Sequence, residues 1–541
     1  MTEWLAYLPP IALLAGFALF ARRRLLTYLH VFQQEEYDGP RFIKWIARNG
    51  AVDRRMTLAL AALGFATPLL HGIGGINGSW IAAGFALLFF LGLAAIENDP
   101  RKAAKKKLAM TRRARRILYL AAAVLAVPAI AIAAIPLPVW SWLVAVQSIP
   151  IALVLGNLLL MPYEARVQKR FWTEAHDKLT RLAPTVIGIT GSYGKTSVKH
   201  ILGHMLETVA PTLITPGSVN TPMGIARVVR ESLGAHHRYF IAEMGAYGPG
   251  SIARLCRLAP PDFAIITAIG HAHYERFKTL ETVAEAKFEL AEAAIARDGH
   301  VVVPTSLAEI GPAAARMAER PDRFIRCGAA EGCDLRILES RQTPEGILVR
   351  VVWDGVEHEL RAPLFGSHHA TNLALAFAAV CALGVRPEDA KLGLKRLPQI
   401  AHRLEVKPRP DGSVTLDDAY NSNPVGFKAA VETVGLLKGK HGGRGILVTP
   451  GMVELGEAHR AEHAKAGEAA AATIDVLLAV VPERIEPLIE SYRGARGETA
   501  EVIRCASFAE ADTWLRENRR SGDIVLLEND LPDLYERKLS L

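Results

Sequence analysis

The first 161 residues hold five apolar runs, at 4–21, 57–72, 80–96, 117–135 and 140–161, separated by loops of very unequal charge. Each run approaches the ~20 residues that a helix needs to cross ~30 Å of hydrocarbon, the second and third being at the short end. One run of this length reads equally well as a buried core helix. Five in series, with Trp4, Trp80 and Trp140 at their ends, predict a domain of about five membrane-spanning helices over 1–163. Arg22, Arg23, Arg24, Arg41, Lys44, Arg48, Arg54 and Arg55 follow the first run, and "RKAAKKKLAMTRRARR" follows the third, whereas "HGIGGING" and "PLP" carry no Lys or Arg. The excess of positive loops on the inner side of membranes then predicts an N-terminus outside and everything after Met161 in the cytoplasm.

The first run has its basic residues behind it and no small-residue cleavage site, so it reads as a retained anchor rather than a signal peptide. The basic loops also suit anionic lipid headgroups. Within the first of them, "LLTYLHVFQQEEYDGPRFIKWIARNG" mixes apolar and charged residues at near-helical spacing, which predicts an interfacial helix.

A length of 541 residues predicts two to four domains, and 50% hydrophobic beside 22% charged residues fits membrane spans joined to a soluble body. The net charge of +8 is concentrated in the two basic loops, so no nucleic-acid partner is expected. Cys256, Cys327, Cys333, Cys381 and Cys505 form no C-x-x-C pair, which argues against a zinc site or a disulfide framework.

From Pro184 the pattern changes to alternating strands and helices. "TVIGIT" reads as a buried strand, "GSYG" as a turn and "KTSVKHILGHMLETVA" as a helix. Strand, glycine loop and helix N-terminus together favour a bound anion, so Lys195 is expected at the terminal phosphates of a nucleotide and the Thr196 hydroxyl on Mg²⁺. The first glycine, Gly191, stands too close to the lysine for the usual G-x-x-x-x-G-K-[ST]. "YFIAEMG" delivers Glu243 at a strand end, and "FAIITAIGHAH" delivers His271 and His273. Side chains at the carboxyl ends of parallel strands converge on the ligand crevice of open α/β sheets, where these would complete a metal shell.

The chain from about Thr185 onward resembles the Mur ligase family, and within it the MurF branch. Its short loop G-[ST]-x-G-K-[ST] is matched by Gly191, Ser192, Gly194, Lys195 and Thr196. "NTPMGI", "AEMGAYGPGSI", "IGHAHYERF", "FGSHHATNLALAFAAVCALG", "AHRLEV", "LDDAYNSNP" and "GMVELGEAHRAEH" are similar to further family segments. The resemblance implies an α/β central ATPase domain with a mostly parallel sheet over 164–400 and a Rossmann-like α/β C-terminal domain over 401–541. It implies ATP and Mg²⁺, with nucleotide contacts from Gly191, Ser192, Tyr193, Gly194, Lys195, Thr196, Ser197, Asn372, Arg403 and Asp418. Thr196, Glu243, His273 and a carbamylated Lys287 are the implied metal ligands, and Lys195, His273, Lys287, Arg403 and Asp418 the implied catalytic set. Tyr420 and Asn421 are nominated beside Asp418; read without the family, Asp417 and Asp418 are equally well turn residues.

Three positions depart from the pattern. His369 stands where the family has asparagine, Gly451 where MurF has aspartate, and "GDIVLLENDLPDLYERK" puts Glu528, Asn529, Asp530 and Leu531 where MurF ends in K-[GA]-S-R. Acids there would repel a free carboxylate by ~1 kcal/mol per charge in a partly wet site, which predicts an acceptor other than D-alanyl-D-alanine. The membrane segments also replace the family's UDP-binding domain. The sequence therefore predicts a multi-pass protein of the bacterial inner membrane, an acyl-phosphate amide ligase of cell-wall metabolism. Its carboxylate is expected to be lipid-linked or brought by a membrane partner. A ligase extending a polymer such as poly-γ-glutamate beside an exporter, and a nucleotide-binding regulator or scaffold, are the other readings.

Overall fold

The computed structural model describes residues 8–70, 78–102, 107–135, 137–270, 277, 279–419, 422–453 and 455–529. His271, His273, Tyr420, Asn421, Asp530 and Leu531 lie outside the described residues. The chain divides into two compact units within one long helix, the first ending at Val167 and the second starting at Gln168.

In the first unit the described parts of the apolar runs are mainly helical: α1 (Leu8–Gln34), α2 (Gly39–Asn49), α3 (Arg54–Leu70), α4 (Gly78–Ile96), α5 (Arg112–Ala134), α6 (Trp142–Gln147) and α7 (Ile149–Leu182). The segment read as one interfacial helix is instead the end of α1 and the separate helix α2. The Asp38 side chain accepts from Arg41 N to start α2, and Gly50, at φ +56°, ends it. By length and composition α4 and α5 are each able to cross a membrane. The fifth run is not one straight span: it bends by 45° between α6 and α7. Pro150, with no N–H to continue the helical ladder, sits at that break.

Phe17, Phe90 and Trp142 pack ring on ring at 5.3–6.0 Å in the core of this unit. Arg24 of α1 is 5% exposed and bridges two other elements, with Nη2 2.8 Å from Asp53 Oδ2 and Nη1 3.0 Å from Glu97 Oε1. A buried guanidinium between two carboxylates is strongly destabilising to break, because the acids then remain buried without a counter-ion.

The second unit holds two sheets. The larger has β1 (Thr185–Thr190), β2 (Thr212–Ile214), β3 (Tyr239–Glu243), β4 (Phe263–Ile266), β5 (His300–Pro304), β6 (Phe324–Gly328), β7 (Leu335–Thr343), β8 (Gly346–Trp353) and β9 (Val356–Ala362). Its order is β2-β3-β1-β4-β5-β6-β7-β8-β9. It is parallel as far as β7 and antiparallel from β7 to β9, so the sheet is mostly parallel with an antiparallel end. Asp354 (φ +48°) and Gly355 (φ +75°) make the tight turn between β8 and β9.

Between these strands run α8 (Lys195–Glu207), α9 (Pro222–Ser232), α10 (Ser251–Leu258), α11 (Leu280–Ile295) and α12 (Gly311–Glu319), followed by α13 (His369–Ala382) and α14 (Pro387–Lys395). Helices α8, α13 and α14 cover one face of the sheet through Ile187, Ile189 and Ile241. Helices α9 to α12 cover the other through Val186, Phe240 and Ala242. Burial on both faces is why the parallel strands read as continuous apolar runs.

The smaller sheet contains β10 (Glu405–Pro408), β11 (Val414–Asp418), β12 (Gly445–Thr449), β13 (Val476–Val480), β14 (Glu501–Cys505) and β15 (Ile524–Glu528), in the order β10-β11-β15-β12-β13-β14. Only β10 is antiparallel among its described pairings. Its helices are α15 (Pro424–His441), α16 (His459–Ala471), α17 (Glu486–Arg496) and α18 (Phe508–Asn518).

Arg24→Met is expected to cost the first unit about 3–5 kcal/mol, as stranding two buried carboxylates does. Arg41→Met, at an exposed ion pair, is expected to cost under about 1 kcal/mol. Unfolding of the detergent-solubilised protein measures both, and equal losses would refute the distinction.

Candidate nucleotide and metal site

The loop between β1 and α8 is built by two close approaches. A Cβ on Gly191 would lie 1.9 Å from Thr267 Oγ1, and Gly194 sits at φ +81° with its Cβ position 2.7 Å from Asn372 Oδ1. Only glycine fits either place. Ser192 N donates to Ala268 O at 2.7 Å, Gly270 N donates to the Ser192 hydroxyl at 3.0 Å, and the Thr267 hydroxyl donates to Tyr193 O. The loop is thereby pinned to the end of β4. Lys195 Nζ donates back to Gly191 O at 2.7 Å, so the ammonium lies in the curl of the loop. Burial pulls its pKa down, Glu243 opposing and Arg403 adding to the effect. Burial pushes the Tyr193 phenol up to about 12, and Glu462 of α16 adds to it.

Glu243, 1% exposed at the end of β3, is the hub of the site. Its Oε2 accepts from Thr196 Oγ1 at 3.0 Å and from Lys199 Nζ at 3.0 Å, and its Oε1 accepts from Asn220 Nδ2 at 3.4 Å. Tyr247 OH donates to Asn220 Oδ1 at 2.9 Å. Lys199 is fully buried and also donates to Gly217 O. Sequence reading passed over it; its one signal was a lysine four residues after Lys195 on a face of α8 otherwise filled by Val198, Ile201 and Leu202. The Thr196 hydroxyl and the Glu243 carboxylate are adjoining oxygen donors of the kind a hard divalent cation takes, and they fit Mg²⁺.

Lys287 of α11 is 4% exposed. Burial holds its pKa well below the usual lysine value, and the Lys195 charge pushes the same way. The structure buries it, with the Lys195 charge close enough to be felt. Asn372 of α13 lies against Gly194, as noted, and its Nδ2 is 3.4 Å from His369 Nδ1. His369 is buried and held neutral by desolvation, with His368 and Arg403 adding to it. An uncharged imidazole thus stands where the family has an uncharged amide.

Arg403 opens the C-terminal domain between two residues at positive φ, His402 (+57°) and Leu404 (+50°). Its charge is felt by Lys195, His368 and Asp418, which places it between the loop and the smaller sheet. Asp418 is the last residue of β11, in register with Glu528 on β15, so neither aspartate of that pair is a turn residue. Next to it, ligand atoms of His402, Glu405 and Asp417 cluster within 4.8 Å. Lys407 Nζ already fills that cluster, 2.6 Å from Asp417 Oδ2 and 2.9 Å from Glu405 Oε2, so it is a closed ion-pair group. Gly451, at φ +77°, has no room for the aspartate of the family pattern, because its Cβ would meet His463 Nε2 at 2.5 Å.

Glu528 corrects the expectation about the acceptor. It is fully buried, accepts from Ser422 Oγ, and is held far above the usual carboxylate range by burial and by Asp418. A protonated acid under the surface offers no negative charge to repel a carboxylate. Asn529 is buried too, with Nδ2 2.6 Å from Gly451 O.

Two family descriptions match this region: the Mur ligase middle domain over residues 189–380, and the Mur ligase glutamate ligase domain over 402–528. The chain belongs to the Mur ligase family. It is similar to the UDP-N-acetylmuramoyl-tripeptide–D-alanyl-D-alanine ligase of Bacillus subtilis, 29% identical over 67% of this chain and 78% of that one. To the ligase of that name from Mycobacterium leprae it is 31% identical, over 64% and 70%. The fold resembles MurF of Thermotoga maritima in complex with ADP, with a TM-score of 0.58 at 23% identity, covering 69% of this chain and 82% of that one. As a Mur ligase, the protein is an ATP-dependent carboxylate–amine ligase that works with Mg²⁺.

Lys199→Met leaves Glu243 buried without its cation. A loss of about 3–5 kcal/mol in stability is expected, recovered in part by Glu243→Gln in the same chain. Thermal unfolding of the single and double variants checks this, and additive losses would overturn the pairing.

Proposed function

We propose that this chain is a membrane-held ligase of the MurF type, joining the free carboxylate of a muramoyl tripeptide to the amine of D-alanyl-D-alanine at the cytoplasmic face. The observation that carries the reading is the gathering of Lys195, the Thr196–Glu243 pair, Lys287 and Arg403 around one glycine loop. The relatives' names supply the two substrates, and the burial of Glu528 takes away one of the two acids that would oppose them. Helices α4, α5 and the bent α6–α7 pair, with basic loops on one side, support the membrane assignment and the inside position of the ligase. Residues 1–167, the helical part of the first unit, lie outside both family descriptions, and we assign them to anchoring.

When bound, ATP with Mg²⁺ supplies the phosphoryl group that turns the carboxylate into an acyl donor. The protein's part is positional and electrostatic. Loop N–H groups at the start of α8 bind phosphate oxygens, and Lys195 exchanges Gly191 O for them. Arg403 brings a second cation from the C-terminal domain. The Thr196 hydroxyl and Glu243 would hold the metal, with Lys199 hydrogen-bonded to the same carboxylate. Burial favours the uncharged amine of Lys287, the form that takes up CO₂ as a carbamate and would so become an anionic ligand. Asn372 and Asp418 would face the nucleoside.

The detergent-purified chain given ATP, Mg²⁺, UDP-N-acetylmuramoyl-tripeptide and D-alanyl-D-alanine is expected to release ADP and form the pentapeptide product, with Lys195→Ala lower by roughly 10²–10³-fold. ADP release only with a lipid extract, or with amino acids alone, would replace the substrates, and nucleotide binding without turnover in any mixture would sink the ligase reading. Isotopically labelled bicarbonate is expected to give a carbamate signal that Lys287→Met abolishes; an unchanged signal would place the carbamate elsewhere.

A further inference from the structure

Lys195 and Lys199 stand one turn apart on α8 and serve different places. Lys195 Nζ lies in the curl of the glycine loop, where a phosphate can draw it away from Gly191 O. Lys199 Nζ donates to Gly217 O and, at 3.0 Å, to Glu243 Oε2, and the two side chains of this ion pair are 0% and 2% exposed. Solvent screens so deep a pair little. Gly217, at φ +51°, and Asn220, whose Nδ2 meets the other oxygen of Glu243 at 3.4 Å, belong to one short segment. Lys199 is thus tied to that segment on one side and to the acid on the other, and it cannot follow a phosphate. The oxygen it occupies also meets Thr196 Oγ1 at 3.0 Å, so the corner where a metal would bridge hydroxyl and carboxylate already holds an ammonium. An Mg²⁺ at the usual ~2.1 Å from Oε2 comes within about 5 Å of it. Lys195 feels Glu243 as well, with Arg403 a further cation nearby. One carboxylate does not offset two lysines and a dication; the phosphates of a nucleotide supply the missing negative charge.

We propose that Lys199 makes metal binding conditional on the nucleotide: its ammonium on Glu243 keeps a free divalent cation out of the Thr196–Glu243 corner and admits one that comes with a nucleoside di- or triphosphate. The proposal rests on the reading of Thr196 and Glu243 as metal donors and adds a rule of order to it. Lys199 is a positioning residue, since it touches the acid and the Gly217 carbonyl rather than the reacting groups. Its charge works against the metal while its hydrogen bond holds the metal's carboxylate in place. The two effects have opposite signs. If Lys199 were only a structural prop, removing it would loosen Glu243 and weaken metal binding; if its charge guards the corner, a neutral side chain that still donates strengthens it.

The test titrates Mn²⁺, which takes the same oxygen donors as Mg²⁺, into the full chain in detergent and follows the free ion by electron paramagnetic resonance. The unaltered chain is expected to hold Mn²⁺ weakly alone or with adenosine, and firmly with ADP. Lys199→Gln, neutral and still a donor, is expected to bind nucleotide-free Mn²⁺ about 10–100-fold more tightly than the unaltered chain, the weight of one nearby charge in a partly screened site. Lys199→Arg, which keeps the charge, leaves that affinity low. Should Lys199→Gln fail to fold, Asn220→Asp leaves the ion pair intact and sets a compensating acid on the other oxygen of Glu243, and it too is expected to take up Mn²⁺ without nucleotide. An unchanged or weaker nucleotide-free affinity in the neutral variant, or in Asn220→Asp where that variant stands in for it, overturns the proposal. So does an unaltered chain that binds Mn²⁺ as tightly with adenosine as with ADP. Glu243→Gln separates the two levels: if it leaves Mn²⁺ binding in the presence of ADP unchanged, the metal reading itself has failed, and the role of Lys199 with it.

Discussion

The buried carboxylate of Glu243 is the charge around which the second unit's site is arranged. Enclosing it costs several kcal/mol unless its oxygens are met by donors and its charge by a cation. Lys199, Thr196 and Asn220 supply these from α8 and from the segment leading into α9. One interaction thereby fixes the glycine loop's helix against β3. Lys199 at 3.0 Å from the same oxygen as Thr196 sets a cation beside the carboxylate that would take the metal.

The second constraint is Arg403. Left-handed backbone on both sides of a non-glycine residue is strained by about 1–3 kcal/mol per position. It is held here because Asp417 binds His402 and Asp418 binds Leu404 N. The acids at the end of β11 thus aim the arginine toward the phosphate loop. The same two residues that close the smaller sheet set the position of the cation that serves the larger one.

Much of this was legible in the sequence where local pattern and chemistry coincide. "TVIGIT", "YFIAEMG" and the helix from Lys195 read correctly because doubly covered strands are apolar throughout and a glycine turn marks the loop. Lys199 did not, since a lysine on a helix looks solvated until the strand carrying its partner is known. Lys287 was placed by resemblance alone for the same reason. Glu528 was read as a charged acid in a partly wet site: its burial depends on β15 lying between β11 and β12, a pairing far apart in sequence. The hairpins β7 to β9 were passed over although Asp354-Gly355 between alternating residues is a hairpin signal. In the first unit the apolar runs gave the helices, and Pro150 carried the one break that was not read.

The three departures from the family pattern share a physical character. His369 is a neutral imidazole in place of an amide, Gly451 removes a side chain where His463 leaves no room, and Glu528 is a protonated acid where the pattern has a strand-end cation. Burial disfavours a charge on His369 and on Glu528, and Gly451 has no side chain to carry one. The site's electrostatics therefore remain those set by Lys195, Lys199, Glu243, Arg403 and Asp418, so these departures change how the crevice walls are packed and leave in place the charges that a phosphoryl transfer requires.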